Sequence, residues 1–237
     1  MFYNLFFVKM GPGDNMIKEF IKTHKHAWVF LYFIFYMPWY FGLQLRDPST
    51  FHNAYVALDG MIPFVPLFII PYIYWFAFVG CTIAFLFLCD VKEFYKCVAF
   101  LFIGMTVCLI VFTLYPTTFY YRPAHLSGTP VEKFFLNLIY TADKPQNVFP
   151  SIHVYNSIGC AIALTHSKKF KGNHKMQIFA FVSAFLITLS TMFIKQHSCM
   201  DALGAGILAI FMYILIYSGK GFFREKSEEV ITQKKKS

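Results

Sequence analysis

Two histidines sit at the edges of apolar sequence, His153 in Phe-Pro-Ser-Ile-His and His197 in Lys-Gln-His-Ser-Cys-Met-Asp. Asp201 follows His197 by one helical turn's spacing, so its carboxylate can accept a hydrogen bond from one ring nitrogen. That bond fixes the tautomer and leaves the other nitrogen nucleophilic. His153, arriving from a different helix, can protonate a leaving oxygen as general acid. Ser151 and the N–H groups of a helix start suit a phosphate, Arg122 offers a fork to two phosphoryl oxygens, and Lys195 adds a point charge. Two cations, two imidazoles, one carboxylate and a helix start describe an oxyanion site. Phosphoryl transfer asks the protein chiefly to position groups and neutralise charge, so this set works without a metal or other cofactor. A rival reading makes His153, His197 and Asp201, with His125, ligands of a zinc-like ion. Against it, no paired metal-binding spacing is present, and Arg122 and Lys195 would repel a cation. His52, His125, His166 and His174 read as surface or interfacial residues.

The sequence that must hold these residues together is membrane-spanning. Of 237 residues, 57% are hydrophobic and only 14% charged, with a mean hydropathy of +0.53. Cutting the chain at its charged residues leaves six long uncharged runs: Ala27–Leu45, Gly60–Cys89, Cys97–Tyr121, Pro145–Ser167, Met176–Ile194 and Ala202–Gly219. Each is about as long as the ~17–25 residues an α-helix needs to cross hydrocarbon. The short alternating segments of a β-barrel are absent. The fold class is therefore all-α, a polytopic membrane protein of six transmembrane helices over residues 27–219. A cytoplasmic or interfacial segment (1–26) precedes it and a basic cytoplasmic tail (220–237) follows. The first run reads as a permanent anchor rather than a cleaved leader, because it lacks a short apolar core and a small-residue cleavage site. Ile17, Phe20 and Ile21 suit a short interfacial helix, or the N-terminal tail merely anchors topology through its lysines. The six cysteines read as small apolar helix residues, with no Cys-x-x-Cys pair.

The net charge of +9 says less than its position. With six crossings, sixteen lysines and arginines fall on the side of the termini and five (Arg46, Arg122, Lys133, Lys144, Lys195) on the other. By the positive-inside rule both termini are cytoplasmic and the alternate loops face outward, across a plasma membrane. No nucleic-acid role follows from the charge. Arg122, Ser151, His153, Lys195, His197 and Asp201 then share the outer side, where ionisable residues are costly unless paired or functional. Along the chain, Pro63, Pro66 and Pro71 break the start of the second span, and Pro116 ends the third. Residues 116–147 form the longest connection, with an amphipathic helix around Val131–Tyr140. The fourth span starts at Pro150–Ser151, and Gly204-Ala205-Gly206 offers small residues for close helix contact.

These residues carry a family resemblance. The chain resembles the type 2 phosphatidic acid phosphatase (PAP2)/haloperoxidase superfamily, whose second signature, Pro-Ser-x-His, is complete at Pro150-Ser151-Ile152-His153. The third matches at Ser190, His197 and Asp201, with Thr191 at its arginine. The first keeps Arg122-Pro123 but has Tyr115 at its lysine. The resemblance covers about residues 115–201 and the six-helix plan. It implies a phosphohistidine at His197, an acid at His153 and an orienting carboxylate at Asp201, with Ser151 and Arg122 on phosphate. Lys195 is positioned to offset the two missing cations. The implied activity is metal-independent hydrolysis of a lipid phosphomonoester or pyrophosphate, its partner being a membrane phospholipid or lipid phosphate. The departures are similar to the inositol-phosphorylceramide and sphingomyelin synthase branch, which passes the phosphate to an alcohol. A degenerate, non-enzymatic phospholipid-binding protein is the third reading.

Overall fold

The structure, a computed structural model, describes residues 23–218; the interfacial helix expected around Ile17–Ile21 and the basic tail lie outside them. A 3-10 segment (Lys25–Leu31) leads into α1 (Tyr32–Gln44), followed by β1 (His52–Asn53) and a short α2 (Ala57–Met61). The chain continues through α3 (Ile69–Cys89), α4 (Val91–Leu114), β2 (Thr117–Thr118) and α5 (Pro130–Ala142). It closes with α6 (Ile152–His166), α7 (His174–Phe193) and α8 (Cys199–Ile216). The mostly helical architecture agrees with the sequence. One feature outside that reading is the parallel pairing of His52 with Thr117 and Asn53 with Thr118.

Among the described residues, four helical segments are long and apolar enough to cross a membrane: Pro66–Cys89, Val91–Leu114, His174–Phe193 and Cys199–Ile216. They mark an integral membrane protein. The other two expected spans are shorter. α1 has 13 residues and α6 has 15, about 20 and 22 Å at ~1.5 Å per residue, against a hydrocarbon core of about 30 Å; the seven-residue 3-10 segment that leads into α1 adds about 14 Å at ~2.0 Å per residue. The uncharged run at 145–167 overstates its helix because its first residues form an irregular approach to the cap. The opposite error occurs in α4, which starts at Val91 and takes Lys92, Glu93 and Lys96 into its first turns. Asp90 alone separates α3 from α4, capping the latter through its bond from the Glu93 N–H. As the prolines require, the start of α3 is broken into a 3-10 turn at Pro66–Phe68.

α6 is the axis of the bundle, touching α3, α4, α7 and α8. From Val154 to Leu164 every residue except Ile158 is buried, so α6 is lined by protein rather than lipid over most of its length. Its neighbours come close because the facing residues are small. A Cβ at Gly104 would lie 2.0 Å from the Tyr155 ring, and one at Gly159 would lie 2.6 Å from Phe100. α1 is peripheral and packs chiefly on α4. Polar bonds run along that seam: Tyr32 Oη donates to Phe102 O (3.1 Å), Trp39 Nε1 to Thr113 Oγ1 (3.1 Å) and Arg46 to Phe112 O (3.2 Å).

Candidate active site

Two interruptions of helix build the site. Between α7 and α8 the chain turns through Lys195, whose φ is 56°. The N–H groups of Gln196 and His197 both donate to the Thr191 carbonyl, at 2.9 and 3.0 Å. Ser198 then caps α8, and Asp201 Oδ2 accepts both the Ser198 N–H (2.9 Å) and His197 Nδ1 (3.2 Å). His197 therefore precedes the helix cap, and its bond to Asp201 spans the helix start instead of lying along one helical turn. A second buried carboxylate, Asp59, accepts Ser198 Oγ at 2.7 Å and the Cys199 N–H at 2.8 Å. Both acids sit where the unpaired N–H groups and the dipole of α8 favour negative charge.

The second interruption precedes α6. Asn147 has a φ of 55°, and the Phe149–Pro150 peptide is cis. Thr117 Oγ1 accepts the N–H groups of Val148 (3.2 Å) and Phe149 (3.0 Å). Ser151 caps α6 through the Val154 N–H and donates its own N–H to Asp201 O at 3.1 Å. That backbone bond ties the start of α6 to the start of α8. It brings His153 Nδ1 to 3.3 Å from His197 Nε2.

Three residues that the sequence did not single out stand behind His153. Tyr72 Oη lies 3.1 Å from His153 Nε2 and donates to Asp143 Oδ2 at 2.9 Å. Gln196 Nε2 donates to Tyr72 Oη (3.2 Å) and Asp143 Oδ2 (3.1 Å), while its Oε1 accepts from Arg122. The signals were faint: Asp143 is one acid in a long connection, Gln196 merely adjoins His197, and Tyr72 is one tyrosine in an aromatic-rich span.

The expected site residues divide accordingly. His153, His197 and Asp201 are brought together. Arg122 joins them through Gln196, its guanidinium also held by the carbonyls of Tyr140 (2.9 Å) and Asp143 (2.6 Å) and stacked 4.2 Å from the Tyr140 ring. Burial pulls the Arg122 pKa below its usual value and pushes that of Tyr140 up to about 12. Ser151 is fully buried as a cap. Lys195 turns away: its ammonium bonds the carbonyls of Asp59 (2.9 Å) and Ile62 and faces the Tyr121 ring at 4.9 Å. Burial lowers its pKa, with Asp59 opposing. Tyr115 stacks on His52, ring centroids 4.1 Å apart, and Thr191 is buried. Among the described residues, no three His, Cys, Asp or Glu side chains are grouped to hold a metal ion.

A cavity of about 420 Å³ ends at the imidazole pair. Its polar end carries His153, His197, Asp143, Tyr72 and Gln196, and its walls descend between α1, α3, α4 and α6 past Phe33, Val79, Ile83, Leu101 and Phe102. From Tyr72 to Ile83 the α3 wall covers about 16 Å at ~1.5 Å per residue. Met37, Phe41 and Phe76 line it and are also exposed on the outside of the bundle, so the cavity opens sideways between α1 and α3. Three buried carboxamide oxygens without a hydrogen-bond partner, those of Gln146, Asn147 and Asn156, belong to lining residues.

The family model of the PAP2 superfamily matches residues 112–224. That segment belongs to the PAP2 superfamily. The match takes in Arg122, both histidines and Asp201, and the superfamily's members are phosphoesterases and phosphotransferases. Comparison with curated proteins and with solved structures gives no match. The PAP2 region begins at the C-terminal end of α4; α1 and α3, which form much of the cavity wall, lie before it.

Proposed function

We propose that this PAP2 protein is a membrane lipid phosphatase, hydrolysing a lipid phosphomonoester or pyrophosphate through a phosphohistidine on His197. The observation that carries this reading is the pair of imidazoles at the head of an apolar cavity. Asp201 holds His197 Nδ1, so Nε2 has its lone pair directed at the site. In the first half-reaction Nε2 bonds to phosphorus, the bond to the lipid oxygen breaks, and His153 Nδ1 delivers its proton to that oxygen. In the second, water attacks phosphorus, His153 Nδ1 takes the proton, and the P–N bond breaks. Arg122 and the N–H groups around the start of α6 balance phosphoryl charge. The lipid chain occupies the cavity while its phosphate reaches the imidazoles.

In this reading α1 and α6 complete six crossings, the termini are cytoplasmic, and the site faces outward at the plasma membrane. The test is phosphate release from dioctanoyl phosphatidic acid in EDTA, with an acid-labile phosphohistidine trapped from labelled substrate. His197→Ala should abolish both, and His153→Ala should cost about 10²–10⁴-fold in turnover. Full activity in His197→Ala ends the proposal.

A second reading, a head-group phosphotransferase, is favoured by two observations. Tyr115 and Thr191 stand where the family signatures have cations and Lys195 turns away, leaving Lys144 on the cavity lining and Arg122 behind Gln196; fewer cations suit a singly charged phosphodiester better than a dianion. The unpaired oxygens of Gln146, Asn147 and Asn156 suit the hydroxyl donors of an alcohol. Product analysis with a phospholipid donor and sphingolipid, inositol or glycolipid acceptors separates the two, because only the transferase forms a new diester.

A further inference from the structure

We infer that Tyr72 and Asp143 are positioning residues that keep a proton on His153 Nε2, making Nδ1 the working nitrogen of the general acid; this rests on the phosphohistidine reading above.

The donors and acceptors around His153 leave few places for its protons. Arg122 has only donors, so the Gln196 atom it touches must be the carbonyl oxygen. The Gln196 NH₂ therefore faces Tyr72 Oη (3.2 Å) and Asp143 Oδ2 (3.1 Å), and both accept from it. Asp143 Oδ2 also lies 2.9 Å from Tyr72 Oη, so the single phenolic proton goes to the carboxylate. The remaining contact of Tyr72 Oη, at 3.1 Å, is with His153 Nε2, and there the tyrosine oxygen can only accept. Nε2 must carry a proton.

The other ring nitrogen is constrained from the front. His197 gives its Nδ1 proton to Asp201 Oδ2, leaving a lone pair on Nε2. The 3.3 Å contact between His197 Nε2 and His153 Nδ1 is a hydrogen bond once one of the two nitrogens takes up an added proton. With that proton on Nδ1, the state competent as an acid, His153 is an imidazolium whose charge Asp143 balances from one tyrosine away. When Nδ1 gives its proton to the departing lipid oxygen, the ring is left neutral with Nε2–H still held by Tyr72. Nδ1 is then bare and able to take a proton from the incoming water. One tautomer serves both half-reactions. The ionisable groups facing His153 are Tyr72 and Asp143 behind it and His197 with Asp201 in front, with Arg122 reaching it through Gln196.

In Asp143→Asn the amide can donate to Tyr72, which turns the phenolic proton toward Nε2 and installs the wrong tautomer; Tyr72→Phe removes the link. The experiment is a rapid-mixing first turnover of the full chain in detergent with two probes. p-Nitrophenyl phosphate has a leaving group that departs unprotonated, whereas dioctanoyl phosphatidic acid must release an alkoxide unless an acid helps. In both variants the first-turnover burst of nitrophenolate should persist. First-turnover diacylglycerol release should fall by about 10²-fold, within the usual range for general acid catalysis. Steady-state phosphate release from both probes should fall, because the second half-reaction loses its base. If burst and diacylglycerol release fall together, or neither falls, Tyr72 and Asp143 have no such role. A burst that survives His197→Ala, or a wild-type protein that releases neither product, overturns the phosphohistidine reading itself.

Discussion

His153 Nδ1 and His197 Nε2 lie 3.3 Å apart, within direct hydrogen-bonding distance. A phosphorus atom flanked by its attacking nitrogen and its leaving oxygen needs more room, since the two must lie in line on opposite sides of it. One ring has to swing. His197 is held at Nδ1 by Asp201 and through its N–H, and His153 at Nε2 by Tyr72. Trp75 reports that motion, its ring 4.5 Å from the His153 ring and its Nε1 on the His153 carbonyl. Inorganic vanadate, a phosphoryl mimic, should therefore change tryptophan emission in the wild type and leave it unchanged in Trp75→Phe. An equal response from both proteins would place the movement elsewhere.

Lys195 was expected on the phosphate, yet its ammonium serves two backbone carbonyls beside Asp59. Lys195→Met should lower thermal stability by about 1–3 kcal/mol, the cost of leaving buried acceptors unpaired. KM for lipid phosphate should stay within about threefold. A rise in KM of ten-fold or more with an unchanged Tm would return Lys195 to the phosphate.

Gly204 and Gly206 look alike in sequence and differ in place. A Cβ at Gly204 would lie 2.5 Å from the Phe149 ring, two residues before the Ser151 cap, whereas nothing lies within 4 Å of one at Gly206. Gly204→Ala should push Phe149 and the start of α6 away from α8, lowering kcat by about ten-fold or more, since small misplacements are costly at a reacting centre. Gly206→Ala should be silent. Comparable losses in both would mean that Phe149 does not position His153.

The cavity wall makes a prediction about chain length. Ile83→Trp fills the end remote from the histidines. Turnover of long-chain lipid phosphate should drop by about ten-fold or more while dioctanoyl substrate is spared. The overpacking itself should cost about 1–3 kcal/mol of stability. Equal losses for both chain lengths would remove the cavity as the seat of the chain.

His153, His197 and Asp201 were legible because their spacing and the positions of the uncharged runs jointly placed them at one end of a helical bundle. Tyr72, Asp143 and Gln196 were not, because their roles arise from contacts between segments far apart in sequence. Lys195 misled for a related reason: residue type announces a charge but not its direction, and the left-handed turn at Lys195 aims the ammonium at α2 and the connection after it. Helix ends drifted wherever charge was used as a boundary. Lys92 and Lys96 belong to α4 because Asp90 starts the helix, and long cationic side chains near a helix end can reach out to the interface.

Because α1 is laced to α4 and leaves a seam toward α3, the proposed function has its substrate reach the histidine end of the cavity from within the plane of the bilayer. A molecule arriving there need never leave its leaflet. The rate should accordingly track the mole fraction of substrate among surrounding lipids rather than its total concentration, falling when inert lipid dilutes the surface and holding steady when whole vesicles are diluted in buffer.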